Sequence, residues 1–179
     1  MKFFNEIIDE VMKIGNEISD QQVDDFLTSI QSAKHIFLEG AGRSGLMIRG
    51  FANRLLHLGY SVSIVGEISS PHTKPGDLFI IGSGSGETTS LVHQAEIAKT
   101  NGVLIGLVTT NADSTLGKLA DSIIVIPAQS KQSDAATLQP MGSLFEQTSL
   151  FLYDSLVLHL MEKTGETNQT MKPRHADLE

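Results

Sequence analysis

Two glycine-serine segments are the residues in this chain whose types and spacing best suit chemistry. Gly40-Ala41-Gly42-Arg43-Ser44-Gly45 and Gly82-Ser83-Gly84-Ser85-Gly86-Glu87-Thr88 each follow an apolar run and precede a helical pattern. Glycine lets a ligand approach the backbone, hydroxyls add donors, and a helix start adds N–H groups with no partner inside the helix. Together these can hold a phosphate without a large positive charge. One such loop alone could be a tight strand-to-helix turn and nothing more. Two of them, with clustered Ser and Thr, make a ligand site the better reading.

The first loop also fits G-x-G-x-x-G, with Glu67 near the end of the next strand, which is the spacing of a dinucleotide-binding fingerprint. Against that, 179 residues leave no room for a separate substrate domain. A second anion loop would also be superfluous to a dinucleotide.

Glu146 is the carboxylate that stands out. It sits beside Phe145, early in a helix otherwise crowded with Leu, Phe and Val. A carboxylate among apolar walls takes up a proton more readily than one in water, which suits a general base. A Glu in the first helical turn is also favourable without any chemical role. Of the six histidines, His35, His93 and His159 read as strand-edge or helix-surface residues. His57 ends a helix just before Gly59, and His175 stands next to Arg174 in a polar tail. A cation beside a side chain that titrates near neutrality suits a lid over an anion, and a neighbouring subunit is the expected source of that lid. No metal-ligand spacing occurs and the chain has no cysteine, so neither a metal nor a cofactor is expected.

These groups need elements to position them. Phe4, Ile7, Ile8, Val11, Ile14 and Ile18 form one helical stripe, and a second helix begins at Ser19, which has capping-box spacing to Gln22. From residue 35 onward, short apolar runs alternate with helical patterns. Strands are predicted at 35–39, 61–65, 77–81, 103–108 and 122–126. Helices are predicted at 44–58, 87–100, 116–119 and about 142–163. Runs such as Leu78-Phe79-Ile80-Ile81 are apolar on both faces, as in a covered parallel sheet. The polar connection 128–140 and the tail 164–179 lack periodicity, and residues 164–173 are expected to be mobile by themselves.

Composition narrows the class. At 40% hydrophobic and 19% charged residues the chain is that of an ordinary globular domain. A single domain over 1–179 is expected, with 1–33 as a helical prelude. The 13 basic residues are outnumbered by 21 acidic ones, for a net charge of −8. That argues against nucleic acid as a partner. No apolar run approaches the ~20 residues of a membrane span. Acidic residues also come too soon after Met1 for a signal peptide, so a cytoplasmic setting is expected, without membrane partners.

The segment Ser83-Gly84-Ser85-Gly86-Glu87-Thr88 resembles the phosphate loop of SIS (sugar isomerase) domains. The resemblance extends through Gly40 to Gly45, Phe51 to Gly59, Gln139-Pro140-Met141-Gly142-Ser143-Leu144-Phe145-Glu146-Gln147 and the terminal Arg174-His175-Ala176. Over nearly the full length the chain is similar to the 6-phospho-3-hexuloisomerase family. That resemblance implies an α/β three-layer sandwich with a five-stranded parallel sheet in flavodoxin-like order, preceded by the two N-terminal helices. It implies interconversion of 3-hexulose 6-phosphate and fructose 6-phosphate in the ribulose monophosphate pathway. Ser44, Ser83, Ser85 and Thr88 would then bind the phosphate with Arg43 and Arg174 nearby. Glu146 would move the proton, with His57 and His175 as further catalytic candidates. A homo-oligomer is expected, a tetramer by the resemblance, because the last helix is apolar on more than one face. Another SIS-type isomerase, a non-catalytic phosphosugar sensor and a dinucleotide-dependent oxidoreductase are the alternatives.

Overall fold

The near-continuous apolar runs become strands, as expected of segments buried on both faces. The computed structural model describes residues 1–128 and 137–178. Ile36–Gly40 (β1), Val62–Ile64 (β2), Leu78–Gly82 (β3), Leu104–Thr109 (β4) and Ser122–Val125 (β5) form one parallel sheet in the order β2-β1-β3-β4-β5. The chain leaves β1 to one side for β2 and to the other for β3. The crevice between β1 and β3 is therefore the topological switch point, where open α/β sheets hold ligands. The register pairs Gly40 with Gly82, so the two glycine-serine loops start level and adjacent at that crevice.

Helices cover both faces. Lys2–Gly15 (α1), Asp20–Ser32 (α2), Gly42–His57 (α3) and Ser143–Thr164 (α6) lie on one side. Thr89–Thr100 (α4) and Thr115–Leu119 (α5) lie on the other. Each side has its own aliphatic core. Leu38, Ile80, Phe51, Leu55, Tyr153 and Leu156 meet on the first side, and Phe37, Phe79, Ile81, Leu91 and Leu107 on the second. The strand residues alternate between the two sides because side chains alternate along a strand. Tyr153 stacks on Phe51 at 4.9 Å between centroids, tying α6 to α3.

Ser19 caps α2 as its spacing predicted, its hydroxyl accepting from the Gln22 amide at 3.4 Å. Element ends otherwise move by one or two residues from the sequence reading, except that α1 ends at Gly15 and leaves Ile18, the last residue of its expected stripe, in the turn that follows. The larger correction is in the tail. Asn168–Met171 (α7) is helical and continues into a 3-10 turn, Lys172–Arg174. A four-residue helix is too short to show periodicity, yet Thr167 and Thr170 form a reciprocal capping box around it. Of the polar connection expected over 128–140, residues 129–136 lie outside those described.

On the first side, α1 and α6 leave apolar surface uncovered. Phe3, Phe4, Met12, Phe151 and Leu158 are all more than half exposed. A groove of ≈ 420 Å³ runs between these helices. No helix among the described residues is long and apolar enough to cross a membrane.

Candidate active site

Three helices begin at the β1–β3 crevice, and their N-termini share one property. Neither α3, α4 nor α6 has a side chain capping its first amides; α1, whose N-cap is Met1, has none either, whereas α2, α5 and α7 are capped by Ser19, Ser114 and Thr167. The first N–H groups of a helix have no partner within it, so an anion can accept from them. α3 also starts extremely close to the sheet. A Cβ on Gly45 would run into the Gly40 carbonyl oxygen, so only glycine lets the helix begin there.

The second loop is held rigidly. The Gly84 carbonyl accepts from the Thr110 amide at 3.0 Å, the Thr110 hydroxyl at 2.7 Å and the Thr109 hydroxyl at 3.2 Å. The Glu87 carboxylate accepts from the Thr115 hydroxyl at 2.7 Å and the Thr115 amide at 2.8 Å. Those two bonds hold Glu87 below the usual carboxylate range. Glu87 thus anchors the loop to α5, and the helix starts after Thr88, its N-cap, rather than at Glu87 as the sequence suggested. Gly86 adopts φ +67°, and a side chain there would strike Ser114.

Within the loop, Ser83 is buried and accepts from the Gly86 amide at 3.2 Å. Ser85 is exposed and accepts from the Glu87 amide at 3.2 Å. Each hydroxyl acts there as an acceptor, which leaves its own O–H to point at a ligand. Ser44 lies half-buried in the first turn of α3, and Thr88 half-buried at the start of α4.

Glu146 arrives from the other side of the crevice. The turn before α6 is unusual: Met141 has φ 60° and ψ 28°, and Gly142 comes next with φ 80°. A non-glycine residue held in this left-handed region costs about 1–3 kcal/mol, and such strain gathers at functional sites. Phe145 covers Gly84, and Glu146 is buried. The apolar setting expected for Glu146 is half of its surroundings. On the other half, Arg43 Nη1 lies 3.2 Å from Glu146 Oε2 and donates to Ser143 Oγ at 2.7 Å. A buried carboxylate is tolerable when a cation faces it. Ser143 in turn donates to the Pro140 carbonyl at 2.7 Å. Arg43, expected at the phosphate, thus pairs with Glu146, which no local sequence pattern reveals.

Arg43, Ser44, Ser83, Ser85, Thr88 and Glu146 therefore surround one crevice. His57, Arg174 and His175 do not join them. His57 ends α3, fourteen residues after Arg43, which is roughly 21 Å along the helix axis. There the His57 and His175 rings stack at 5.1 Å, and Arg174 donates to the His57 carbonyl at 2.9 Å. Arg174 also grips Glu166 with both guanidinium nitrogens, at 3.0 and 2.9 Å. A cleft of ≈ 400 Å³ opens here, lined by Arg54, His57, Lys172 and His175 among others. Within one chain the tail folds back on α3 and does not close over its own loop.

Glu67, the acid of the dinucleotide alternative, is spent in an exposed ion pair with Arg49 at 3.4 Å. Among the described residues no cluster of three or more His, Cys, Asp or Glu could hold a metal ion. Sequence reading missed Ser143 and Glu10, whose contacts join segments distant in the chain. For Glu10 one local signal existed: it falls on the apolar stripe of α1, three residues after Ile7 and four before Ile14.

Residues 29–158 match the family model described as SIS domain. The chain is 48% identical to the 3-hexulose-6-phosphate isomerase of Bacillus subtilis, over 99% of this chain and 98% of that one. It is 38% identical to the enzyme of the same name from Mycobacterium gastri, over 96% and 87% of the two chains. A solved Methanococcus jannaschii structure, reported to infer a 3-hexulose-6-phosphate isomerase function, superposes with a TM-score of 0.86. The two chains cover each other completely at 28% identity.

Proposed function

The chain belongs to the SIS domain family, and from that premise we propose that it interconverts D-arabino-hex-3-ulose 6-phosphate and D-fructose 6-phosphate. The observation that carries the reading is the buried Glu146 facing Arg43 across a crevice built from helix N-termini and hydroxyls. The reaction needs that pairing of a proton acceptor with a phosphate cradle. The base takes the proton from C2 of the 3-ketose, an enediolate forms across C2 and C3, the hydroxyl proton passes from O2 to O3, and the carbon-bound proton returns to C3. Arg43 can stabilise the developing oxyanion while holding the base, typically the larger electrostatic contribution. A 3-ketohexose 6-phosphate is open-chain, since its free hydroxyls lie too near C3 to close a five- or six-membered ring. Ring opening arises only for fructose 6-phosphate, where a histidine can shuttle the hydroxyl proton.

The test tracks the carbon that exchanges. Fructose 6-phosphate incubated with the enzyme in deuterium oxide should gain deuterium at C3, read by proton NMR, as the 3-ketose accumulates. Exchange at C1 would indicate a different sugar-phosphate isomerase. Absence of exchange would favour a phosphosugar sensor.

In this reading Ser44, Ser83, Ser85 and Thr88 hold the phosphate with the α4 amides. Ser85→Ala should raise KM about tenfold with kcat nearly unchanged, since a hydrogen bond to a charged group contributes about 1.5–3 kcal/mol. Steady-state kinetics check it, and an unchanged KM removes Ser85 from the phosphate. The uncovered apolar faces of α1 and α6 support a homo-oligomer, a tetramer by family analogy. His57, Arg174 and His175 then serve the crevice of a second copy, acting in the cytoplasm on a substrate fed by formaldehyde fixation.

A further inference from the structure

α1 lies outside the residues that match the SIS domain, yet one of its side chains reaches the segment that leads to Glu146. Glu10 Oε2 accepts from the Thr137 hydroxyl at 2.8 Å and from Gln139 Nε2 at 2.9 Å. Its Oε1 accepts from the Leu138 amide at 2.9 Å. Three donors from three successive residues thus converge on one carboxylate. Thr137 Oγ1 also accepts from the Gln139 amide at 3.1 Å, closing a small ring of bonds. Gln139 is buried and its side-chain oxygen has no partner, so among the described residues Glu10 is its only side-chain anchor.

The turn that aims the base comes directly after Gln139. Pro140, the left-handed Met141 and Gly142 lead into Ser143, which bonds back to Pro140 and receives Arg43. Arg43 in turn faces Glu146. Glu10 thus stands at the far end of a connected path, through hydrogen bonds and this short turn, that ends at the base. Burial raises its carboxyl, but the bonds from Leu138, Gln139 and Thr137 outweigh that and hold it below its ordinary value, as expected of a permanent acceptor.

We propose that Glu10 is a positioning residue, a clamp from α1 on residues 137–139 that fixes the strained turn and so the placement of Glu146 and Arg43. A left-handed Met persists only where its surroundings over-determine it, and the described hydrogen bonds from residues 137–139 to other parts of the fold go to Glu10. An ångström of misplacement at the base is enough to cost about a hundredfold in rate. The phosphate loop is held separately by Thr110 and Thr115, so binding does not depend on this clamp.

Glu10→Gln keeps the shape but offers one acceptor oxygen where three donors need two. Its kcat should fall at least tenfold with KM for fructose 6-phosphate unchanged, and the rate of C3 exchange should fall in step. Glu10→Asp should recover part of the loss. Combining Glu10→Gln with Gln139→Ala should cost little more in kcat than either alone, since both break the same clamp. If Glu10→Gln does not fold, Thr137→Val carries the test, with a several-fold fall in kcat at constant KM. Wild-type kcat per folded molecule in these variants overturns the proposal, as does a matched rise in KM. The inference rests on Glu146 as the base. Exchange surviving in Glu146→Gln would remove that assignment whatever the Glu10 variants do, whereas wild-type turnover in Glu10→Gln removes only the clamp.

Discussion

Glu146→Gln should fold and still bind fructose 6-phosphate, while deuterium exchange at C3 falls by about 10²–10⁴-fold, the usual contribution of a positioned general base. The amide is the same size, so the packing of Phe145 on Gly84 and of α6 on α3 is undisturbed. It can still accept from Arg43 but cannot take a proton from carbon. Loss of exchange with intact binding separates chemistry from affinity. Glu146→Asp keeps the charge but withdraws the carboxylate by one methylene, and a fall of about a hundredfold is expected from displacement alone. NMR exchange rates and a titration of fructose 6-phosphate on the same samples decide the matter. Substantial exchange in Glu146→Gln would pass the base role to another group.

The second large effect concerns the tail. Deleting residues 171–179 removes Arg174 and His175 and, from the two cores, only the partly buried Met171 at the edge of the first, so the fold should survive. Turnover should fall by about two orders of magnitude if these groups shuttle protons and exclude water at a second copy's crevice. The roughly 21 Å between His57 and Arg43 along α3 makes the source of the tail testable. Neither Glu146→Gln nor the truncated chain should work alone. Assembled together from unfolded subunits, they should recover about a quarter of wild-type activity, because that share of random pairings joins an intact Glu146 to an intact tail. Full activity in the truncated enzyme would remove His175 and Arg174 from the site. A 19.3 kDa species in light scattering would leave no second copy to supply them.

Local pattern carried most of the fold. Leu78-Phe79-Ile80-Ile81 and the stripe from Phe4 to Ile14 announce a buried strand and an amphipathic helix in consecutive residues, so no distant contact is needed to read them. The second glycine-serine loop was legible for the same reason. Its rigidity was not, because Gly84 and Glu87 are fixed by Thr110 and Thr115 on another turn of the fold. The pairing of Arg43 with Glu146, about a hundred residues on, lies beyond any windowed reading. So does the hold of Glu10 on Gln139. The helix α7 escaped notice because a capping box and the grip of Arg174 on Glu166 stabilise a segment whose single apolar side chain is Met171. Within one chain the length of α3 sets His57 and His175 apart from Arg43 and Glu146.

The bare starts of α3, α4 and α6 bear on how this protein can change over generations. A Ser or Asp cap typically adds about 1 kcal/mol to a helix. Drift toward heat tolerance would find such a gain open at Ala41, the N-cap of α3, whereas Thr88 is already a capping residue type at α4 and Gly142, at φ 80°, would strain a Ser or Asp at α6. A cap at Ala41 would fill with a side chain the space that an anion would enter, and an acidic cap would repel it. Variants sturdier without ligand would then be poorer at holding one, an opposition between endurance and activity centred on a few amide hydrogens. Lineages under thermal pressure should accumulate their stabilising changes elsewhere, on the surfaces of α1, α2 and α5, and leave the start of α3 unguarded.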